Sequence, residues 1–485
     1  MSLIARQPAA DILAAFAHLG VTGITSDSRQ VRAGMVFAAY PGEAGDGRRY
    51  IAAAIAAGAV AVVWEAQDFV WPDEFASVSN FAVADLRDSL GDIAAAVYGD
   101  PSADLWVIGV TGTNGKTSCT QWIAQCLNQL SRKTAIIGTL GNGIPPDLYY
   151  TGNTTPDVTV VQAALRDYCV EGVTALAMEV SSHGLDQGRV RGVRFDVAVL
   201  TNFTQDHLDY HGDMATYAAV KSKLFSWPEL RYAILNIDDA LGRELALQQS
   251  AAKVVTYGFE SADVQGSNLQ LSLAGLSMQV STPWGTGRLQ SSLLGRFNAH
   301  NLLASLAVLL VSDVSFADAL QVLKQVQPVA GRMQTLGGGN LPLVVVDYAH
   351  TPDALEKVLQ TLRELNPTGK LWCVFGCGGE RDAGKRPLMG AAVSRYADVA
   401  MVTSDNPRSE QPQAIIDAIC AGMNGLEMVE IDRVQAINKV IKLAQAGDVV
   451  LIAGKGHEDY QEVAGVKYPF SDVTVAQAAL KAGAA

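Results

Sequence analysis

Positive charge is scarce in this chain. It carries 36 Lys and Arg against 49 Asp and Glu, a formal net charge of -13. A surface of that sign excludes general binding to nucleic acid or to anionic membranes, so an anionic substrate must be met by local arginines. Cysteine is scarce too: six in 485 residues, none in a C-x-x-C pair. Cys119, Cys126, Cys169, Cys373, Cys377 and Cys420 therefore read as reduced thiols of a cytoplasmic protein. Cys373 and Cys377, four apart around a strand end, read as packing rather than as a metal site. No apolar run reaches the roughly 18 residues of a membrane span. The first residues, Met1-Ser-Leu-Ile-Ala-Arg-Gln-Pro8, lack a basic segment followed by an apolar core, so no secretory leader is expected. The chain also lacks short repeats, low-complexity tracts and a G-x-S-x-G elbow. Ser181, Ser182 and His183 are adjacent in sequence, which is not the geometry of a hydrolytic triad.

What is present is ample material for packed cores, with 49% hydrophobic residues. The length suggests about three domains. The chain is organised around Gly109-Val-Thr-Gly-Thr-Asn-Gly-Lys-Thr117. An apolar run, Leu105 to Val110, precedes it as a short buried strand, and Ser118 to Leu130 follows as a helix. A strand, a glycine-rich turn and a helix start make a phosphate cradle, with backbone N–H groups and the helix dipole aimed at an anion. Lys116 would reach the terminal phosphates of a nucleotide, and the Thr117 hydroxyl would sit on Mg²⁺. The spacing departs from the usual phosphate loop, because Val110 stands where that pattern has glycine and the extra glycine is Gly112.

Three α/β domains are expected: 1–102, 103–329 and 330–485. In the first, a helix over 9–19 precedes a loop-like stretch, Ile24 to Val31. Strands are expected at 34–40 and 59–64, with a helix at 51–58 between them. Arg48 and Arg49 sit in a glycine-rich loop and read equally as a solvated pair or as a contact to a phosphorylated ligand. In the second domain, apolar strands at 133–138, 173–178, 195–200 and 232–236 alternate with helices after Pro156 and near 214–225. That alternation predicts a largely parallel sheet covered on both faces, with ligands beyond the strands' carboxyl ends. Two polar clusters, Glu179 to Arg189 and Thr201 to His211, lie at such ends. The stretch 253–295 is expected to be antiparallel. Pro328 to Arg332 reads as a hinge. After it, strands at 343–347, 371–375, 398–402 and 448–453 predict a second, Rossmann-like layer structure.

Mg²⁺ prefers oxygen ligands, which makes Glu179 a candidate; His207 is either a ligand or a helix-start residue. Arg381 and Arg408 follow neighbouring strands of the last domain. Arginine pairs with carboxylates through two parallel hydrogen bonds, so these loops suit an acidic amino acid or a phosphate.

Together these stretches resemble the Mur ligases, ATP-dependent amide-bond ligases of bacterial cell-wall synthesis, over essentially the whole chain. Thr111-Gly-Thr-Asn-Gly-Lys-Thr117 has the family's form. The other carrying motifs are Asp27-Ser-Arg29, Asp46-Gly-Arg-Arg-Tyr50, Asn153-Thr-Thr155, Glu179-Val-Ser-Ser-His-Gly-Leu185, Asp206-His-Leu-Asp-Tyr-His-Gly212, Asp347-Tyr-Ala-His-Thr-Pro-Asp353, Asp405-Asn-Pro-Arg408 and Lys455-Gly-His-Glu458. The last domain's Asp405-Asn-Pro-Arg408 resembles the diaminopimelate-adding branch.

The resemblance implies three domains, for a UDP-linked acceptor, for ATP and for an amino acid. It places Ser26, Ser28, Glu43, Ala44 and Gly45 at the UDP part, and Asn153, Thr154, Thr155, Ser181, Gln187 and Arg189 at the muramoyl-peptide. It assigns Gly112, Thr113, Asn114, Gly115, Lys116, Thr117, Ser118, Asn298 and Arg332 to ATP. Thr117, Glu179 and His207 fall to Mg²⁺, and Lys116, Glu179, His207 and Lys221 to catalysis. Lys221 matches the family's carbamylated lysine; Lys223, two residues on, would face elsewhere on a helix. Arg381, Asp405, Asn406, Pro407, Arg408, Gly454 and Glu458 would bind diaminopimelate. An arginine built for that molecule's second carboxylate is left unpaired by lysine, and sites of this kind discriminate by about 10⁴ or more. Ser26 stands where relatives carry a larger residue.

The implied reaction is amide ligation through an acyl phosphate, with small-molecule substrates, no nucleic acid, no membrane insertion and a monomeric, cytoplasmic enzyme. The last domain is expected to close over the others. The rivals are a lysine-adding ligase, a folate polyglutamate ligase of related fold, a nucleotide-binding regulatory module, and a plain ATP hydrolase.

Overall fold

The computed structural model describes residues 9–42, 45–425 and 427–483. They form two compact units. One comprises 9–42, 45–266, 280–286 and 300–322; the other comprises 267–279, 287–299, 323–425 and 427–483.

The first unit holds two sheets. Strands Gly23–Thr25, Met35–Ala39, Ala61–Glu65 and Ser79–Val83 pair in sequence order, all parallel. One face packs on helices Ala9–Phe16 and Leu86–Val97 around Ile24, Val36, Val63, Leu90 and Ile93. The buried Glu65 ends its strand and accepts from the Leu86 amide at 2.7 Å, closing an otherwise open helix start. Arg48, read from the sequence as either solvated or ligand-bound, is half-buried, pairs with Asp46 at 2.9 Å and donates to the Gln67 carbonyl at 2.6 Å. Arg49 is exposed.

The larger sheet of this unit runs Lys253–Gly258, Tyr232–Asn236, Val197–Leu200, Trp106–Thr111, Ala175–Glu179 and Thr134–Gly138, every neighbour parallel. Gly141–Ile144 and Asp147–Tyr149 then pair antiparallel at its edge. The strands are buried on both faces, as their unbroken apolar runs require. Register fixes the site: Val110 lies opposite both Glu179 and Val199, and Thr111 opposite Leu200. The strand feeding the glycine-rich turn is thus flanked by the two strands that end in the polar clusters. The expectation of antiparallel pairing from 253 fails at its start. Lys253–Gly258 runs parallel to Tyr232–Asn236 over five residue pairs, because helix Ala240–Leu247 makes the connection a crossover rather than a hairpin.

The second unit carries a six-stranded sheet in the order Gln334–Gly337, Leu343–Asp347, Val449–Ala453, Leu371–Phe375, Val399–Val402, Met428–Val429. Only the first, edge strand is antiparallel. Helix Pro352–Leu365 starts under a Thr351 cap with proline in its first turn. Beneath the strand ends Arg433 is fully buried, pairs with Asp472 at 2.7 and 2.8 Å and donates to the Ala453 carbonyl at 3.0 Å.

Candidate active site

The glycine-rich turn of the first unit needs its glycines. Gly112 and Gly115 have φ of +141° and +85°. A Cβ would stand 1.9 Å from Thr201 Oγ1 at Gly112 and 2.5 Å from Asn301 Oδ1 at Gly115. Thr201 clamps the turn by donating to the Thr111 carbonyl at 3.1 Å and the Asn114 carbonyl at 2.6 Å. The Asn114 amide donates to Asn202 Oδ1 at 3.0 Å. Thr113 Oγ1 donates to the Thr204 carbonyl at 3.0 Å. Helix Lys116–Gln129 starts directly behind the turn, and Ser118 is buried in its first turn. Lys116 folds back over it, its Nζ donating to the carbonyls of Gly112 at 2.8 Å and Thr113 at 2.9 Å.

Two further groups converge on the turn. Thr117 Oγ1 donates to Glu179 Oε2 at 3.0 Å, and Glu179 also accepts from the Thr139 amide at 2.9 Å and the Thr139 hydroxyl at 3.1 Å. Glu179 is 1% exposed. A buried carboxylate held by hydroxyls and an amide, beside a phosphate turn, presents hard oxygen donors of the kind a divalent cation takes. From the other side the buried Lys221 donates to the Gly112 carbonyl at 3.0 Å, with its Nζ 4.6 Å from the Tyr217 ring centre. Burial, reinforced by the neighbouring Lys116, holds its amine well below the ordinary lysine range, and Asp206 opposes this only weakly. Lys223 differs entirely: it is exposed and pairs with Asp186 at 3.3 Å.

His207 has a left-handed backbone, φ +53°, and starts the short helix Leu208–His211. Its side chain is 45% exposed; partial burial lowers its pKa, with Lys116 and Lys221 adding to the effect against Asp206. Its ring lies 5.0 Å from that of His183, which is 5.5 Å from that of His211. His211 shares a 2.9 Å hydrogen bond with Ser182.

The candidate acceptor-binding residues are contiguous with this centre. Thr154 and Thr139 share a hydroxyl hydrogen bond at 3.0 Å. Thr155 Oγ1 donates to the Glu179 carbonyl at 2.9 Å and accepts from the Ser181 amide at 3.0 Å. Arg189 Nη1 donates to the Thr155 carbonyl at 2.8 Å, and Gln187 Nε2 donates to Tyr210 Oη at 3.3 Å. Asn153 is exposed. Ser26 and Ser28 lie apart in sequence, flanking Asp27, which caps a short 3₁₀ turn through the Arg29 amide. Gly45 is exposed, while Glu43 and Ala44 lie outside the described residues.

The second unit gathers the other candidates at one end of its sheet. Asn406 is locked: its Oδ1 accepts from Lys455 Nζ at 2.9 Å and its Nδ2 donates to Glu458 Oε2 at 2.8 Å. Lys455, fully buried, closes the triangle to Glu458 at 3.0 Å. A Cβ on Gly454, φ +116°, would lie 2.7 Å from Asp405 Oδ2. Pro407 is buried. Arg408 adopts φ +51°, donates Nη1 to the Gly379 carbonyl at 2.6 Å and lies 3.4 Å from Glu462. Arg381 is exposed. Elsewhere in this unit, Asn298 is buried and donates to the Leu294 carbonyl, and the Arg332 guanidinium stacks 4.9 Å over Tyr348. Cys373 and Cys377 are buried, and burial pushes the Cys377 thiol up to about 12. Among the described residues no cluster of His, Cys, Asp and Glu is arranged for a metal.

Sequence reading placed Thr201 and Asn202 in a strand-end polar cluster without giving them a part, and it missed Thr139, Asn301 and Tyr217. These have no motif of their own and are brought to the turn by sheet register and helix packing.

Family models match three consecutive parts of the chain. The Mur ligase family catalytic domain covers 20–98, the Mur ligase middle domain 110–309, and the Mur ligase glutamate ligase domain 331–456. The chain is similar to the UDP-N-acetylmuramoyl-L-alanyl-D-glutamate–2,6-diaminopimelate ligase of Chromobacterium violaceum. The two are 54% identical over 469 residues, covering 96% of this chain and 95% of that protein. The protein of the same name from Pseudomonas aeruginosa is 50% identical over 464 residues, covering 95% of each. A solved structure bearing that name is 38% identical with a TM-score of 0.72, covering 96% of both chains. A MurF ligase from Thermotoga maritima, solved with ADP, shares the fold at 20% identity and a TM-score of 0.64, covering 96% of this chain and 98% of that one. From its phosphate turn to its last domain, the chain belongs to the Mur ligase family.

Proposed function

We propose that the protein joins meso-2,6-diaminopimelate to UDP-N-acetylmuramoyl-L-alanyl-D-glutamate at the expense of ATP. The observation that carries this reading is the 54% identity, nearly end to end, with a protein of that name. In this reading the three parts 1–102, 103–329 and 330–485 serve the UDP end, ATP and the amino acid.

The γ-phosphoryl group of ATP passes to the terminal D-glutamyl carboxylate, leaving ADP and an acyl phosphate. The diaminopimelate amine attacks the acyl carbon, a proton leaves the nitrogen, and the tetrahedral intermediate collapses by expelling phosphate. Most of the protein's work is positioning and charge neutralisation. The turn Gly112 to Ser118 cradles the phosphates through its amides and Lys116, with Asn298 and Arg332 as further nucleotide contacts. Thr117 and Glu179 are the oxygen donors that would hold Mg²⁺, with His207 the further candidate ligand; the ion would supply neutralisation of charge on the phosphates. Asn153, Thr154, Thr155, Ser181, Gln187 and Arg189 orient the peptide end of the acceptor. Ser26, Ser28 and the loop 43–45 hold its uridine end. Arg381 and Arg408 meet the carboxylates of diaminopimelate, within a floor fixed by Asp405, Asn406, Pro407, Gly454 and Glu458.

Lys221 is the modified residue. Its depressed basicity supplies the neutral amine that reacts with CO₂. The carbamate so formed, with loss of a proton to solvent, places anionic oxygens beside Lys116.

The test is an omission series with ATP, Mg²⁺ and the UDP-linked dipeptide, offering meso-diaminopimelate, L-lysine or no amino acid. Phosphate release and a tripeptide product that require diaminopimelate are expected. Equal turnover with lysine would reassign the amino acid, and release without any amino acid would leave an ATP hydrolase.

A further inference from the structure

The two loops that carry Arg381 and Arg408 are joined by a carboxylate that belongs to neither binding motif. Arg408 is fixed first. Its amide donates to the Glu462 carbonyl at 3.1 Å, and its own carbonyl accepts from the Ala464 amide at 2.7 Å. The loop carrying Arg381 is then tied to it. The Gly379 amide donates to the Asn406 carbonyl at 2.9 Å, and the Gly379 carbonyl accepts from Arg408 Nη1 at 2.6 Å. The approach is backbone on backbone: a Cβ on Gly379 would lie 2.0 Å from the Pro407 carbonyl oxygen.

Glu410 completes the tie. Its amide donates to the Pro407 carbonyl at 3.0 Å, and its Oε1 accepts from the Glu380 amide at 2.5 Å. Arg386, whose side chain is only 6% exposed, donates Nη2 to both oxygens of Glu410 at 2.9 Å. Ser409 adds a hydrogen bond to the Glu380 carboxylate. Glu380 and Arg408 are both non-glycine residues with left-handed backbones, φ +52° and +51°. Such conformations persist only where their surroundings over-determine them. Here the surroundings are these hydrogen bonds, and Arg381 follows directly on Glu380.

We propose that Glu410, anchored by Arg386, is a positioning residue that sets the placement of Arg381 relative to Arg408 and so tunes recognition of an amino acid bearing two carboxylates. This rests on the reading of those arginines as the diaminopimelate site. Glu410 touches neither arginine's guanidinium, so it acts through the backbone of the Arg381 loop.

The test is steady-state kinetics of the full chain with each substrate varied in turn, for native protein, Glu410→Ala and Glu410→Gln. In Glu410→Ala the KM for meso-diaminopimelate is expected to rise about tenfold, the worth of one charge-assisted hydrogen bond. The KM values for ATP and the UDP-linked dipeptide stay within about twofold, because their sites lie on other motifs. Glu410→Gln keeps the volume and one acceptor; it serves if the alanine variant does not fold, and the same split at smaller amplitude is expected of it. An unchanged KM for diaminopimelate in whichever variant folds overturns the proposal. So does a uniform change in all three KM values with a lowered melting temperature, which marks a merely structural role. A native protein inactive with diaminopimelate overturns the reading of the reaction as well; an active one beside a variant of unchanged KM overturns the positioning role alone.

Discussion

Replacing Lys221 by alanine tests the electrostatics of the phosphate turn. Lys221 and Lys116 donate to the same Gly112 carbonyl at 3.0 and 2.8 Å, so their nitrogens lie at most about 6 Å apart. At an effective dielectric of about 20, unit charges at that distance interact by about 3 kcal/mol. A free ammonium at Lys221 would disfavour the charged form of Lys116 by that amount, and burial together with Lys116 depresses the basicity of Lys221 in turn. A carbamate reverses the sign and holds Lys116 in its charged, phosphate-binding form by a similar amount. Losing it in Lys221→Ala is therefore expected to cost about 10²-fold in kcat. A small carboxylate such as formate, added to the alanine variant, is expected to restore part of the loss. Native enzyme in CO₂-depleted buffer should lose activity and regain it on adding bicarbonate. The assay is product formation, paired with ¹³C NMR under labelled bicarbonate. A native protein showing no carbamate carbon, full activity without CO₂, or a Lys221→Ala variant within twofold of native would refute the reasoning.

Arg408→Ala removes the guanidinium proposed to meet a carboxylate of diaminopimelate, and the KM for diaminopimelate should rise about tenfold to a hundredfold while the KM for ATP holds. Gly115→Ala forces φ +85° on a side chain aimed 2.5 Å from Asn301 Oδ1; ATP affinity by calorimetry should fall by about tenfold or more. Arg433→Met leaves Asp472 buried and unpaired beneath the second unit's sheet, so chemical denaturation should show about 3–5 kcal/mol less stability in that unit.

The sequence was most informative where one physical demand acts on consecutive residues. The runs 105–110 and 232–235 are largely apolar and read as buried strands, and Gly112 and Gly115 announce a turn, one that no Cβ fits. The N-terminal strand Ser79–Val83 passed unnoticed because it mixes polar with apolar residues and is only half buried, and Met428–Val429 is too short for any pattern. Arg48 illustrates a deeper limit. Its charge is met by the adjacent Asp46, but nothing local tells that the carbonyl of Gln67, nineteen residues on, will accept from its Nη1. Thr139 and Tyr217 reach the phosphate turn only through sheet register and helix packing. Likewise the pairing of Glu410 with Arg386 links residues 24 apart, and the left-handed backbones of Glu380 and Arg408 leave no trace in residue type. Motif spacing located Glu179, Lys116 and Lys221; distance in space decided what each of them touches.

The acyl phosphate is the chemical centre of the proposed reaction, and isotope transfer reports on it directly. The UDP-linked dipeptide is prepared with ¹⁸O in its terminal D-glutamyl carboxylate and turned over with ATP, Mg²⁺ and meso-diaminopimelate. One labelled oxygen is expected in each phosphate released, because that oxygen bridges carbon and phosphorus before the amine displaces it. Phosphate carrying no label, with the tripeptide still formed, would contradict carboxylate activation by phosphoryl transfer.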